Sequence, residues 1–558
     1  MSPFSFATTR LKTFALASSA IALLAGPSLA LTSDQDGGNG NASSPGTTAT
    51  AFGDFSSAVG DDNTSFGNIA NSGGGVSATS HGDTSIGSQA NSGGNGGLGT
   101  GNFATAIGFT SFAGSTTGGV SGDNATALGA FSNASTGGTA VGASAKAITV
   151  DSVAIGIGAQ SGTATGLLGG QIAIGKTANA QGLFSIALGY ETSVNGDNAV
   201  SVNTGPLGGA LAAKTIAIGN QSSVLAAGGQ GSIAMGFQSK VVSGIGAVAL
   251  GSQSTATGNG AVAIGDPNIA NGQGAVAIGA NNNAQGQGSV ALGNGSTALV
   301  AGSLALGDTA VVQASGLQGV ALGSGTIVSG AQGIALGNTA TAVGDQGVAL
   351  GSGANATGMQ GVAVGSGSKA LSDGAIAIGN GANTAAGATN SVAVGTNASA
   401  GGFANAAAIG NGATVTRANQ VVLGTTTNTY TLKGVPSAAS LAAQTGPTNF
   451  VTSDASGNLA TSAFGPQTIT GIQGNITTLQ RDVRRGYEGS AIAMAMGGIS
   501  IPEHKNYALA LNAGTFRGET GFASALAVRF NESTTLNAAV GIGARGGVGA
   551  RGGVTFAW

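Results

Sequence analysis

Hydrophobic residues in the middle of the chain recur as a four-residue core: an apolar residue, alanine, a second apolar residue and glycine. Val262-Ala263-Ile264-Gly265 is one copy, and successive core glycines lie mostly 14 residues apart, with occasional steps of 15 to 17. The period of two predicts a short β-strand whose alanine points away from its larger neighbours. The glycine allows a tight turn with positive φ. Because one coil alone cannot bury its apolar residues, the repeats predict a solenoid of stacked coils.

Each repeat also contains a second short segment, such as Ser254–Thr257, which we expect to complete the coil. The lone alanine between two larger residues suggests a close neighbour on its side, and hence three rolls packed about an axis. A Gly/Ala/Ser-rich disordered coil is the alternative, but disorder does not require Val, Ile or Leu at fixed positions. Upstream, insertions such as Asn91 to Gly101 and Phe109 to Ser121 interrupt the repeat. These two loops are candidate ligand contacts, or else only spacers.

The end of the chain shows a second kind of alternation. Four stretches of about 9–11 residues place large apolar side chains on one face and small or polar ones on the other, a length and pattern suited to tilted transmembrane β-strands. Four strands cannot close a barrel, because an open edge in lipid leaves backbone groups unpaired. The simplest solution is that several chains contribute four strands each. A soluble four-stranded sheet is the alternative. The predicted strands run from Tyr507 to Gly514, Phe522 to Phe530, Leu536 to Gly543 and Val548 to Trp558.

Apolar residues just before these strands follow helical spacing. The steps between them are 3, 4, 3 and 4, which is a heptad stripe, and its isoleucines favour a trimeric coiled coil. A helix is also predicted from Leu479 to Gly498. The predicted coiled-coil core residues are Ile469, Ile472, Ile476, Leu479 and Val483.

The beginning of the chain and its composition both indicate export. Met1 to Ala30 has a basic start, an apolar stretch from Phe14 to Leu24 and a small-residue cleavage site, as a secretory signal peptide does. The chain has no cysteine, which excludes disulfides and thiolate metal sites. Only 7% of residues are charged, against about 25% in ordinary globular domains. The segment from Leu31 to Thr416 has a net charge of −9, which disfavours nucleic acid or anionic lipid as a partner.

Residues suited to catalysis are scarce. The only imidazole bases are His81 and His504, and no base–orienter arrangement is visible around either. Gly170 to Thr177 fits the P-loop pattern literally, but its loop would be a strand core of the repeat; Gly541 to Gly546 fits the dinucleotide pattern by chance. Asp61-Asp62 is a candidate for calcium, against the simpler explanation of turn chemistry. We therefore predict no enzyme activity and no catalytic, cofactor-binding or metal residues.

Several of these features resemble one family. The run from Arg484 to Ala495, the four strands and the terminal Phe556-Ala557-Trp558 resemble the YadA-like anchor of trimeric autotransporter adhesins. The repeats resemble the left-handed parallel β-roll heads of the same family. The resemblance implies that three chains form a twelve-stranded outer-membrane barrel with three helices in its pore, and that Phe556 and Trp558 belong to the insertion signal for the barrel assembly machinery. The residues implied to be small because three helices share one lumen are Gly486, Gly489, Ser490, Ala491, Ala493 and Ala495.

The resulting fold class is mainly all-β: a trimeric β-roll head, a short β-rich neck and stalk with a coiled coil, and a shared barrel. The resemblance implies a homotrimer in the outer membrane and at the cell surface of a Gram-negative bacterium, exported through its own barrel. It implies an adhesin for host matrix proteins, cells or surfaces, with outer-membrane lipid as a further partner. The alternative is a structural surface protein for autoaggregation or biofilm cohesion. The predicted boundaries are 1–30 signal peptide, 31–410 head, 411–424 neck, 425–466 β-rich stalk module, 467–485 coiled coil and 486–558 anchor.

Overall fold

The computed structural model describes residues 49–73, 81–93, 102–114, 123–163, 169–227, 229–446 and 448–558. The chain divides into two compact units, and the boundary in the sequence falls between Thr425 and Thr426. The predicted signal peptide, residues 1–30, lies outside the described residues.

In the first unit the chain coils repeatedly and supplies short strands to two parallel ladders. The register is regular: Val262, Ala263 and Ile264 pair with Val276, Ala277 and Ile278 of the next coil. The first ladder has 25 described strands: Thr50–Phe52, Thr64–Phe66, Thr84–Ile86, Thr105–Ile107, Thr126–Leu128, Thr139–Val141, Val153–Ile155, Ile172–Ile174, Ile186–Leu188, Val200–Val202, Ile216–Ile218, Ile233–Met235, Val248–Leu250, Val262–Asp266, Val276–Ala280, Val290–Asn294, Leu304–Asp308, Val320–Leu322, Ile334–Leu336, Val348–Leu350, Val362–Val364, Ile376–Ile378, Val392–Val394, Ala407–Ile409 and Val421–Leu423.

The second ladder is built from the second short segment of each coil, as the repeat predicts. Thr255–Thr257, for example, pairs with Ile269–Asn271. Its described strands are Ser57–Ala58, Asn71–Ser72, Asn91–Ser92, Phe112–Ala113, Asn133–Ala134, Lys146–Ala147, Gln160–Ser161, Asn179–Ala180, Ser193–Val194, Gly209–Ala210, Ser223–Val224, Lys240–Ser243, Thr255–Thr257, Ile269–Asn271, Asn283–Ala284, Thr297–Ala298, Val311–Val312, Ile327–Val328, Thr341–Ala342, Asn355–Ala356, Lys369–Ala370, Asn383–Thr384 and Ser399–Gly401.

The interior of the coils is filled by small residues. The second residue of each first-ladder strand through Ala407–Ile409 is an alanine or serine with at most 2% exposure, as at Ala277. Val276 and Ile278, on either side of it, point outward and are only half-buried. The expectation that stacking buries the larger apolar residues was therefore wrong, and so was the idea that the alanine marks a neighbouring chain. A coil of about 14 residues encloses too little space for larger side chains between its two ladders.

Buried polar residues inside the coils hydrogen-bond along the stack. The backbone N–H of Asn282 donates to Asn268 Oδ1 at 2.9 Å, and the N–H of Ser296 donates to Asn282 Oδ1 at 2.8 Å. The Asn282 amide also donates to the carbonyl of Ile278 at 2.9 Å. The side-chain oxygens of Asn268 and Asn282 are thus each satisfied by the following coil, which offsets their cost of desolvation.

The core glycine has the predicted role. Gly279 has a φ of 121°, and a Cβ placed there would overlap the carbonyl group of Gly293 in the next coil. Glycine is therefore required both by the backbone conformation and by the close approach of successive coils.

We expect Ala277→Leu to destabilise the head, because Ala277 is completely buried and overpacking a filled core typically costs about 1–3 kcal/mol. Ala280→Leu is the matched control, because Ala280 ends the same strand in a partly exposed position. Limited proteolysis of the full-length protein on cells should cut the Ala277→Leu head faster than the control. Equal cutting rates would contradict the placement of Ala277 inside the coil.

The second unit contains a short helix, Ala438–Ala442, a hairpin of Val451–Ser453 and Leu459–Thr461, and a long helix, Pro466–Ala495. The two strands of the hairpin pair antiparallel and lie within residues 425–466, the segment predicted as a β-rich stalk module. The turn of the hairpin is held by Asp454 Oδ1, which accepts the N–H groups of Ser456 and Asn458, both at 2.9 Å. The long helix joins the predicted coiled coil and the predicted pore helix without a break. Among the described residues, no helix has both the length and the apolar character needed to cross a bilayer.

The unit ends in a four-stranded antiparallel sheet, as predicted. Its strands are Tyr507–Phe516, Glu519–Asn531, Thr534–Gly543 and Val548–Phe556, in that order across the sheet. We call them the first to fourth terminal strands. Within the described chain, the first strand pairs with the second alone and the fourth with the third alone, so one edge of each has no strand beside it.

Candidate functional site

The long helix lies against the four-stranded sheet along its C-terminal part. Its buried residues are Glu488, Ala491, Ile492 and Ala495. Their spacing puts them on one face of the helix, and that face touches all four terminal strands. Upstream, residues 469–486 are all exposed in this chain. The contact therefore begins at Tyr487 and Glu488.

Five glycines of the sheet make this close contact possible. A Cβ at Gly521 would lie 2.5 Å from the backbone nitrogen of Ile492 and 2.7 Å from its Cα. A Cβ at Gly514 would lie 2.6 Å from the carbonyl oxygen of Ala491. None of the five has a φ in the left-handed region, so the closeness of the helix, and not the backbone conformation, favours glycine. The obstacle is the helix backbone at Gly514 and Gly521, and side chains of the helix at the other three. We call this set the glycine belt: Gly514, Gly521, Gly541, Gly543 and Gly549.

The opposite face of the sheet carries the large apolar residues that the alternation predicts. Leu509, Leu511, Phe522 and Val540 are between 53% and 80% exposed in this chain. An apolar outer face combined with a small-residue inner face is the pattern of membrane-anchoring β-strands. The two faces therefore have separate uses: one holds the helix, and the other suits lipid.

The small residues predicted for the pore helix divide between two helix faces. Ala491 and Ala495 are buried against the chain's own sheet. Gly486, Gly489, Ser490 and Ala493 are exposed in this chain. The structure thus explains the first two by contact within one chain, whereas the idea that the other four face further helices stays a prediction.

The predicted coiled-coil residues occupy the exposed side of the same helix. Ile469, Ile472, Ile476, Leu479 and Val483 are 42% to 64% exposed. Their alternating steps of three and four continue through Gly486, Ser490 and Ala493. One seam therefore runs along the helix, with large residues before the sheet and small ones beside it. We call it the axial seam: Ile469, Ile472, Ile476, Leu479, Val483, Gly486, Ser490 and Ala493.

The two residues predicted to signal barrel insertion lie at the end of the sheet. Phe556 is the last residue of the fourth terminal strand and pairs with Thr534. Trp558 follows the strand, and both side chains are exposed. Their role in insertion remains a prediction.

The candidate ligand loops of the head are only partly described. Residues 94–101 and 115–121 lie outside the described residues. Each segment nevertheless contains a strand of the second ladder, Asn91–Ser92 in the first and Phe112–Ala113 in the second. At the candidate calcium site, Asp61 forms a β-bridge with His81, and the Asp61 Oδ2 to His81 Nε2 distance is 3.6 Å. In the described ranges no group of three or more His, Asp or Glu residues is placed to hold a metal.

Sequence reasoning missed Glu488, Ile492 and the use of the glycine belt. The sequence did hold a signal for the glycines. They alternate along the strands with larger residues, which places the glycines on the small-residue face. Glu488 stands out as the one acidic residue in a run of small and apolar ones from Gly486 to Gly498. Neither signal says which helix face meets the sheet.

Two family descriptions match the chain. The YadA head domain repeat matches eleven segments: 121–138, 135–159, 172–192, 180–202, 243–266, 270–296, 284–310, 314–340, 329–354, 356–382 and 370–398. The YadA-like membrane anchor domain matches residues 500–558.

Among solved structures, the chain is similar to the collagen-binding domain of the Yersinia adhesin YadA. The identity is 25%, the match covers 34% of this chain and 72% of that one, and the TM-score is 0.15. The search of curated proteins found no match.

Proposed function

The chain belongs to the YadA-like trimeric autotransporter adhesins, and from this membership we propose that it is a homotrimer that attaches the cell to matrix proteins, other cells or surfaces. It is anchored in the outer membrane of a Gram-negative bacterium and exposed at the cell surface. YadA-like adhesins are a non-enzymatic, adhesive class of surface protein, and we propose no enzymatic activity for this chain.

The observation that carries the homotrimer is the open four-stranded sheet. Its outer face is apolar, yet its first and fourth strands each have an unpaired edge. In a bilayer such edges are prohibitively costly, because no water can hydrogen-bond their backbone groups. Three chains contributing four strands each would close a twelve-stranded barrel and pair every edge.

Two further surfaces support three chains. The axial seam is exposed along the whole long helix, and isoleucine-rich heptads favour more than two strands. In the head, the first-ladder strands present two columns of Val, Ile and Leu outward, of which Ile334 and Leu336 are 40% and 43% exposed. We propose that both surfaces face the trimer axis, where the other two chains cover them.

The proposed mechanism of adhesion is mechanical and multivalent. The barrel holds the chain in the membrane, and the stacked coils present three copies of every head residue. Weak contacts to a ligand then combine through effective concentration, without a dedicated pocket. The same barrel is proposed to export the head and stalk before the helices fill its lumen, with the barrel assembly machinery acting on the terminal strand.

The test begins with an unheated denaturing gel of the outer-membrane fraction, beside a sample denatured with heat and strong acid. We expect a band at three times the chain mass that collapses to one chain. A one-chain band in both lanes, with the protein in the soluble fraction, would contradict the anchor and the trimer.

Attachment is measured next, with cells that display the full chain and cells that display a chain lacking residues 123–398. Binding to collagen, fibronectin, laminin and plain plastic should depend on the head. Cells that clump but bind none of these would instead indicate a cohesive role in autoaggregation.

A further inference from the structure

A cluster of polar and aromatic residues surrounds the long helix where it first meets the sheet. Two members are on the helix. Three lie in or beside the turn between the first and second terminal strands, and one lies in the turn between the third and fourth. Both turns are at the same end of the sheet. We call this set the mouth cluster: Tyr487, Glu488, Phe516, Arg517, Glu519 and Arg545.

Glu488 is the most deeply buried member, with 2% exposure. Its Oε1 accepts the backbone N–H of Arg545 at 2.6 Å and, more weakly, that of Gly547 at 3.4 Å. The guanidinium of Arg545 is turned elsewhere, and its Nε donates to Glu519 Oε2 at 2.9 Å. Backbone N–H groups of this turn therefore bind the Glu488 carboxylate, as they do in anion-binding turns.

Aromatic residues close the other side of the cluster. The Tyr487 and Phe516 rings meet edge to face, with centroids 5.7 Å apart. The Arg517 guanidinium lies 5.5 Å from the centre of the Tyr487 ring and donates to the Tyr487 hydroxyl at 3.4 Å. Both neighbouring helix residues thus contact a turn at this end of the sheet.

These contacts hold at only one depth of the helix. Sliding the helix by one turn would move Glu488 by about 5.4 Å and remove it from both N–H donors. The carboxylate would then lie against the sheet without a partner, and burying an unpaired charge is strongly unfavourable. The glycine belt by itself allows sliding, because glycines offer no side chain that interlocks with the helix.

We propose that Glu488 is a positioning residue that holds the helix at one depth and thereby closes the mouth of the barrel to hydrophilic solutes, large ones included, after export. This inference rests on the proposed trimeric barrel, in which three mouth clusters surround three helices. The helix is the last part of the exported chain to enter the lumen. The final depth of the helix in the barrel therefore decides whether the lumen is closed to solutes once export is complete.

The experiment uses the full chain expressed in the outer membrane and measures entry of vancomycin, a large hydrophilic antibiotic. Glu488→Ala removes the acceptor, and we expect a severalfold rise in vancomycin sensitivity while the trimer band and surface display of the head persist. Asp482→Ala is the matched control, because Asp482 is an exposed acidic residue of the same helix; its sensitivity should equal that of the unmodified chain. Glu488→Gln keeps an acceptor oxygen and should restore most of the closure.

A second variant disturbs the Glu488 contact by a change in the sheet instead of the helix. A Cβ at Gly543 would overlap the Glu488 carboxylate, so Gly543→Ala should displace Glu488 and raise sensitivity as Glu488→Ala does. Combined with Glu488→Ala it should add little, since both act on one contact. Unchanged sensitivity of both variants, with normal trimer and display, would overturn the proposal. Loss of the trimer band in the unmodified chain would count against the proposed function instead.

Discussion

Replacing Gly521 with valine is expected to abolish the heat-resistant trimer and the surface display of the head. A side chain at Gly521 would meet the backbone of Ile492, with a Cβ 2.5 Å from its nitrogen. Backbone atoms of a helix cannot move aside as a flexible side chain can. Overpacking costs about 1–3 kcal/mol, occasionally more, and in a trimer the change is made three times. The measurement is the unheated gel, together with protease digestion of the displayed head on intact cells.

Gly552→Val is the matched control for this prediction. Gly552 lies in the fourth terminal strand opposite Ala538, and a Cβ placed there would meet nothing within 4 Å. The control therefore adds the same bulk to the same sheet without touching the helix. A normal trimer from Gly521→Val would show that the helix does not rest on the glycine belt in the assembled protein.

Replacing Ile278 with aspartate is expected to loosen the head where three chains meet. Ile278 points outward from the first ladder, in register with Ile264 and Leu292 of the neighbouring coils. In the proposed trimer, three carboxylates would enter the apolar interface formed by the outward columns of the three heads. Each carboxylate would lose its hydration there and repel the others. We expect the displayed head to become protease-sensitive near this coil, while the anchor still gives a trimer band.

Asn281→Asp supplies the control charge in the same coil. Asn281 occupies an exposed turn with a φ of 56°, which aspartate also tolerates. It should leave the head as resistant as before. If Ile278→Asp is equally harmless, the outward columns face solvent, and the head is not trimeric at this coil even if the anchor is.

Much of the candidate site was predictable from spacing. The helix indicated by the heptad from Ile469 to Val483 and the four terminal strands were predicted close to their observed bounds, because helical and strand periods are local properties. The role of Glu488 was not predictable, since a single acidic residue in a helix does not indicate which residues pack against it. Its meaning depends on the turn at Arg545, some 57 residues later.

The sequence alone determined that the head is a stack of coils and that the end of the chain is a two-faced sheet. A period of two defines two faces on a strand, and a repeat of 14 residues defines the coil. Only the tertiary structure decided which face is inside. In Val276–Ala280 the alanine turns inward and the larger residues outward, which reverses the usual order of a protein core. The reason is space: closing a coil brings its two ladders so near that only small side chains fit between them, and periodicity does not encode that distance.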